Sequence, residues 1–206
     1  MQIKNIVFDL GNVLISYLPE EFHIRQGDTP DKIELYLRDI YGGPEWQKID
    51  HGLMTVDAAI SSIASRTLMP AQEIARIFDL REELLSEITG NSALLKTLKN
   101  ARFGLYFISN FPEDLFRILS AKYEFFKLFD GGVVSSDVKL LKPDPEIYRT
   151  LLRNYNINPA ESLFIDDLEH NVKGAADEGF ITLHLTHTNR LKEHLMALVP
   201  QAFVSN

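Results

Sequence analysis

The sequence predicts an α/β protein, a doubly wound parallel sheet with helices on both faces and one inserted helical unit. Short apolar, β-branched runs recur along the chain, each followed by polar residues and then a helical pattern. Residues 17–90 depart from that alternation and carry helical periodicity without a convincing strand. A chain of 206 residues accommodates one domain plus a modest insertion, whereas two large domains would be a squeeze.

The expected strands are residues 6–10, 103–108, 132–134, 163–165 and 181–185. The first opens into Gly11 and Asn12, both turn formers, as a buried parallel strand ending in a loop does. Between the strands, helix starts are legible. Asn91 precedes Leu94, Leu95 and Leu98, and Pro112 suits a first helical turn. Asp144 and Pro145 open a pattern with Ile147, Tyr148, Leu151 and Leu152, while Asn189 opens the last helix. Within the insertion, Pro30 and Asp31 start a pattern with Ile33, Leu37 and Ile40. Thr55 starts one with Val56, Ile60 and Ile63, and Pro70 one with Ile74, Ile77 and Phe78. The organisation expected is a core of residues 1–16 and 91–206 and an all-helical unit of residues 17–90. Placed directly after the first strand, that unit would cover the carboxyl ends of the strands, where open α/β sheets bind ligands, and act as a lid.

Composition narrows the chemistry. Hydrophobic residues make up 45% and charged residues 24%, as in ordinary folded proteins. A formal charge of -8 disfavours nucleic acid or an anionic membrane surface as partner, both of which reward Lys and Arg clusters. With no cysteine, thiol catalysis, disulfides and cysteine-ligated zinc are excluded. The first apolar run is too short for a signal sequence, and no stretch approaches the roughly 18 apolar residues of a spanning helix. A cytoplasmic monomer or weak homodimer is expected.

Four features fall at strand ends: Asp9 in FDLGNVL, Ser109 and Asn110 in FISNF, Lys142 in LLKPDPEIY, and Asp166 with Asp167 in FIDDLEHN. A parallel sheet converges all four on one edge. A lone strand-end Asp is usually a turn or capping residue, and a lone Lys before a helix start is usually solvated. Carboxylates recurring at two strand ends are another matter, because like charges repel unless a cation sits between them. A set of carboxylates and a backbone carbonyl, all oxygen, suits Mg²⁺ and not zinc. Lys142 can hold a phosphoryl oxygen as a point charge, and the Ser109 hydroxyl with nearby N–H groups can donate to the same phosphate.

In this order, the four elements resemble the signature motifs of the haloacid dehalogenase superfamily, from residue 3 to about residue 185. The resemblance implies a Rossmann-like core with a helical cap, Asp9 as nucleophile on phosphorus, and Ser109 and Lys142 gripping the phosphoryl group. It also implies Mg²⁺ held by the Asp9 carboxylate, the Gly11 carbonyl, Asp166 and Asp167. Asp167 is expected as the direct ligand, with Asp166 acting through water or as a lysine partner. Most phosphatases of this superfamily carry an acid–base Asp two residues after the nucleophile, where this chain has Gly11. General acid–base catalysis is typically worth about 10² to 10⁴ in rate, so three readings follow. The leaving group is good enough to need little protonation, or a cap residue such as Asp50 or His51, or a water chain, moves the proton, or the chain binds phosphate compounds without turning them over. The DLGNV form of the first motif is similar to a bacterial subgroup that includes α-glucose 1-phosphate phosphatases, which favours the first. A sugar phosphate is the expected substrate. The 2-haloacid dehalogenase branch also lacks the second Asp, but it needs no metal and does not keep the paired aspartates.

Trp46 is expected to anchor the helical unit or stack on a sugar ring. Asn110 orients substrate or caps the next helix. Asn171 hydrogen-bonds the acids of the fourth motif or caps its own helix. The six histidines show no metal-ligand spacing.

Overall fold

The computed structural model describes residues 2–204. The chain begins with β1, Asn5–Phe8, and β2, Ile15–Tyr17, and then enters a helical stretch. That stretch holds α1, Pro19–Gln26, α2, Pro30–Tyr36, which continues into a π turn at Leu37–Tyr41, α3, Pro44–Asp50, α4, Val56–Thr67, and α5, Ala71–Asp79. It leaves through β3, Leu85–Glu87. Then come α6, Thr89–Asn100, β4, Gly104–Ser109, α7, Glu113–Lys122, β5, Gly131–Val134, and the short α8, Ser135–Val138. The chain ends with α9, Pro145–Tyr155, β6, Ser162–Asp166, α10, Glu169–Asp177, β7, Ile181–His184, and α11, Leu191–Leu198.

Five strands form one parallel sheet in the order β5-β4-β1-β6-β7. The chain builds one half outward from β1 through β4 and β5, then returns to the other side through β6 and β7. β1 therefore lies at the point where strand order reverses, and the crevice beyond its carboxyl end is where such sheets take ligands. Pleating sends successive side chains to opposite faces. Ile6, Phe8, Leu105, Phe107, Leu163 and Ile165 pack with α6, α7 and α11 on one face. Val7, Ile108 and Phe164 pack with Ile147, Tyr148 and Leu151 of α9 on the other. Ile6, Val7 and Phe8 have no exposed surface at all, which explains why β1 reads as an unbroken apolar run rather than an alternating one.

β5 meets β4 through a glycine. An added Cβ at Gly132 would lie 2.3 Å from the Phe107 ring, and the Tyr155 hydroxyl bonds both the N–H and the C=O of Gly132 at 2.9 and 3.0 Å. Phe107 is itself wedged against Phe116, Phe126 and Phe129. Gly132→Ala is expected to cost about 1–3 kcal/mol by overpacking, read as a lower urea midpoint at unchanged slope.

α3, α4 and α5 with the α2–π-turn segment enclose a third apolar cluster, which includes Tyr36, Ile40, Ile63, Ile74 and Ile77. Thr55 caps α4 by accepting from the Ala58 N–H at 3.3 Å. The stretch is not wholly helical. β3 pairs antiparallel with β2, Ile15 opposite Glu87 and Tyr17 opposite Leu85, so a two-stranded ribbon carries the chain into and out of the helices. Three residues are too few to display a period of two, which hid this strand. Three helix starts also differ from expectation. α6 begins at Thr89, ahead of Asn91, whose buried side chain donates to the Val13 and Thr188 carbonyls at 2.7 and 3.0 Å. Pro112 is the residue before α7, and Asn189 sits in a 3₁₀ turn that precedes α11.

Candidate functional site

Asp9 is the first residue past β1, and its N–H still donates to the Ile165 carbonyl at 2.8 Å, so sheet pairing fixes its backbone. Ser109 ends β4 beside it, and its hydroxyl donates to Asp9 Oδ1 at 3.1 Å. Asp166 ends β6 on the other side of β1. Lys142, in the loop before α9, reaches between the two acids. Its ammonium lies 2.8 Å from Asp9 Oδ1 and 2.6 Å from Asp166 Oδ2. All three groups are buried, Asp166 completely. Asp9, Asp166 and Asp167 each offer a carboxylate oxygen within 4.8 Å of the others, and among the described residues this is the metal-compatible set.

Burial raises the Asp9 carboxyl to about 7, with Lys142 pulling it down and Asp166 and Asp167 pushing it further up. Burial alone would lower Lys142, yet Asp9 and Asp166 hold its ammonium above the ordinary lysine value. Asp167 is raised by burial and by Asp166, against the hydrogen bond from Asn12. One ammonium faces three carboxylates, so the cluster favours a further cation. Its donors are all oxygen, as hard cations require.

Several polar residues set this geometry. Asn12 adopts a left-handed backbone, φ 50°, which Asn tolerates better than most residues. Its side chain accepts from the Tyr17 N–H at 2.9 Å and donates to Asp167 Oδ2 at 3.1 Å, tying the loop after β1 to the acid after β6. Asn171 donates to both oxygens of Asp166 at 3.1 Å, and the Leu168 N–H donates to Oδ1 at 2.9 Å. Asn171 lies inside α10, so it orients the acid rather than capping the helix. Asn110 and Lys142 exchange two bonds, Asn110 Nδ2 to the Lys142 carbonyl at 3.1 Å and the Lys142 N–H to Asn110 Oδ1 at 2.8 Å. The Asn110 amide thus holds the Lys142 main chain in place and does not cap α7. Sequence reading treated Asn12 only as a turn former; an Asn in a tight loop beside a candidate nucleophile was the available signal.

Gly11 stands two residues beyond Asp9, and an added Cβ there would meet Asp9 Oδ2 at 3.7 Å, an ordinary contact. The position faces the carboxylate, has room for a side chain and carries none. Trp46 packs against Phe78 and Tyr41, with ring centroids 5.5 and 4.9 Å apart, and so anchors the helical unit. His51 donates from Nε2 to the Lys139 carbonyl at 2.8 Å, a link between the helical unit and the core. His184 bonds the Asp167 main-chain carbonyl at 3.0 Å. An open cleft of about 430 Å³ lies between the turn after α3 and the starts of α7 and α8, and the three acids do not line it. No described helix is long and apolar enough to cross a membrane.

A family model for haloacid dehalogenase-like hydrolases matches residues 3–179. The chain is 30% identical to a sesquiterpene phosphatase of Aspergillus oryzae, covering 89% of this chain and 90% of that protein. It is 28% identical to a phosphorylated carbohydrates phosphatase of Thermotoga maritima, covering 86% and 82%. Its fold superposes with a TM-score of 0.67, at 25% identity, on a Bacteroides thetaiotaomicron enzyme solved with magnesium and inorganic phosphate, over 88% of this chain and 93% of that one.

Proposed function

The chain belongs to the haloacid dehalogenase-like hydrolases, and on that footing we propose that it is a Mg²⁺-dependent phosphatase acting through a covalent phosphoryl-enzyme at Asp9. The observation that carries this reading is the Lys142 ammonium held between Asp9 and Asp166, with the Ser109 hydroxyl on the same Asp9 oxygen. A lysine and a hydroxyl converging on one buried carboxylate form a cradle for an anion with several oxygens arriving at that carboxylate. Relatives named as phosphatases and a magnesium and phosphate complex in a structural neighbour support it.

The residues that would hold Mg²⁺ are Asp9, Asp167 and the Gly11 carbonyl directly, with Asp166 behind them on Lys142. When bound, the ion neutralises charge on the phosphoryl oxygens and lets the carboxylates crowd together. The free Asp9 oxygen attacks phosphorus in line, the phosphorus–ester oxygen bond breaks, and Lys142 and Ser109 hold the equatorial oxygens. Water then attacks the same phosphorus and returns Asp9 as a carboxylate. The helical unit of residues 17–90 acts as the cap that closes over a small phosphorylated metabolite, and a sugar phosphate is the first expectation.

A noncatalytic phosphate-binding role is the second reading, favoured by the bare Gly11 position. Hydrolysis of p-nitrophenyl phosphate with Mg²⁺ and after chelation separates them. Turnover that chelation abolishes is expected; none under either condition supports binding alone, and turnover that survives chelation contradicts the proposed metal. A panel of sugar 1-phosphates and 6-phosphates should favour the former if leaving-group quality governs rate.

A further inference from the structure

Three successive residues of the helical unit, 50–52 at the end of α3, are fastened to one short stretch of the core. The Asp50 carbonyl accepts from the Ser135 hydroxyl, the His51 ring donates to the Lys139 carbonyl at 2.8 Å, and the Gly52 carbonyl accepts from the Lys139 ammonium at 2.7 Å. Gly52 makes so close an approach possible. Its φ is 67°, and an added Cβ would lie 2.3 Å from Lys139 Nζ and 2.5 Å from the Ser136 carbonyl oxygen.

The core side of this seam leads to the buried acids. Ser135 opens α8 directly after β5 and has no exposed surface, so its hydroxyl must find its partners inside the protein. The oxygen accepts from the Phe111 N–H at 2.8 Å. Its single proton has two acceptors within reach, the Asp50 carbonyl and, at a longer 3.4 Å, the Phe111 carbonyl. Phe111 ends the loop that carries the anion grip. Two residues before it, the Ser109 hydroxyl donates to Asp9 Oδ1 at 3.1 Å, and between them Asn110 exchanges bonds of 3.1 and 2.8 Å with the Lys142 main chain. Every step from the 50–52 turn to Asp9 is therefore a hydrogen bond or a peptide link. Withdrawing the turn leaves the Phe111 carbonyl as the remaining acceptor for the Ser135 proton, which draws on the far end of the Ser109 loop.

Resting on the phosphatase reading above, we propose that Ser135 is a positioning residue for the phosphoryl group. Its hydroxyl couples docking of the 50–52 turn to the placement of Ser109 and Lys142, so the two groups that would grip a phosphoryl oxygen align fully only when the helical unit is seated. Ser135 touches no reacting atom and acts through Phe111 and Asn110.

Inorganic phosphate is the probe, because its binding in the presence of Mg²⁺, measured by calorimetry, reads the grip without turnover. Ser135→Ala is expected to weaken that binding about tenfold, as loss of one hydrogen bond does, and to lower kcat/KM on p-nitrophenyl phosphate by a similar factor. Gly52→Ala displaces the turn while leaving Ser135 and Phe111 in place, and it should weaken phosphate binding to the same extent. Because both changes break one coupling, the double variant should be no worse than either single one. Undiminished phosphate binding in either single variant, or additive losses in the double variant, overturns the proposal. A merely structural Ser135 would lower the melting temperature and leave phosphate affinity unchanged well below it. Where Ser135→Ala does not fold, Gly52→Ala decides alone. Coupled losses of phosphate binding in a protein that hydrolyses no ester would uphold the positioning role and overturn only the hydrolytic reading, whereas wild-type protein that neither binds phosphate nor hydrolyses the ester overturns both.

Discussion

Asp9→Asn is expected to lower kcat/KM on any phosphate ester by at least about 10⁴-fold, because it removes the atom proposed to bond to phosphorus. The same change should leave the fold intact or slightly stabilised at pH 8. Burial lifts the folded-state value of Asp9 to about 7 from an ordinary 3.8, so the folded protein holds a proton that the unfolded chain gives up between those values. A raised acid of this kind costs stability as pH climbs through that window, and an amide has no proton to lose. Quenching turnover of a radiolabelled ester in acid should trap label on wild-type protein and none on the variant. Label retained by Asp9→Asn would move the nucleophile elsewhere.

Lys142→Met should be the most damaging single change for stability and activity together. It strands the Asp9 and Asp166 carboxylates with no cation, and uncompensated buried charge costs about 3–5 kcal/mol. The loss has a direction in pH. Burial and its acidic neighbours already raise the Asp9 carboxyl, and without the ammonium it titrates higher still, so the deficit should be largest at pH 8 and shrink toward pH 5, where protonation removes its charge. Lys142→Arg should rescue little, since a planar fork cannot replace a point charge lying 2.8 and 2.6 Å from two separate acids. Urea unfolding at the two pH values reads the effect, and equal stability of wild type and Lys142→Met at pH 8 would refute the charge balance described here.

The sheet was legible because its strands are buried on both faces, and burial writes β-branched and aliphatic residues into consecutive positions such as Ile6, Val7 and Phe8. The candidate site was legible for a related reason. A parallel sheet aligns strand ends, so Asp9, Ser109 and Asp166 can be paired from their place after apolar runs alone. What stayed hidden depends on side-chain direction. Asn12 looks like a turn residue until the structure shows it bonded to Asp167, whereas Asn171, expected on the fourth-motif acids or as a cap, is found on Asp166. Asn110 exchanges two bonds with the Lys142 main chain, a contact that its place after Ser109 does not announce. The β2–β3 ribbon escaped because hydrogen bonding across a gap of some 70 residues leaves no local pattern in either three-residue partner.

The order of strands in the sheet has a consequence during synthesis. β6 is among the last elements made, yet it lies directly beside β1, the first. A growing chain that has passed Lys142 but not Asp167 owns a lysine and an aspartate with no opposing wall, and β1 has an unpaired edge. Each long-range pairing must await its later partner, as in any fold dominated by distant contacts. A nascent or truncated chain therefore carries no assembled reaction centre, and hydrolytic competence arrives only when the C-terminal quarter docks against the N-terminal strand.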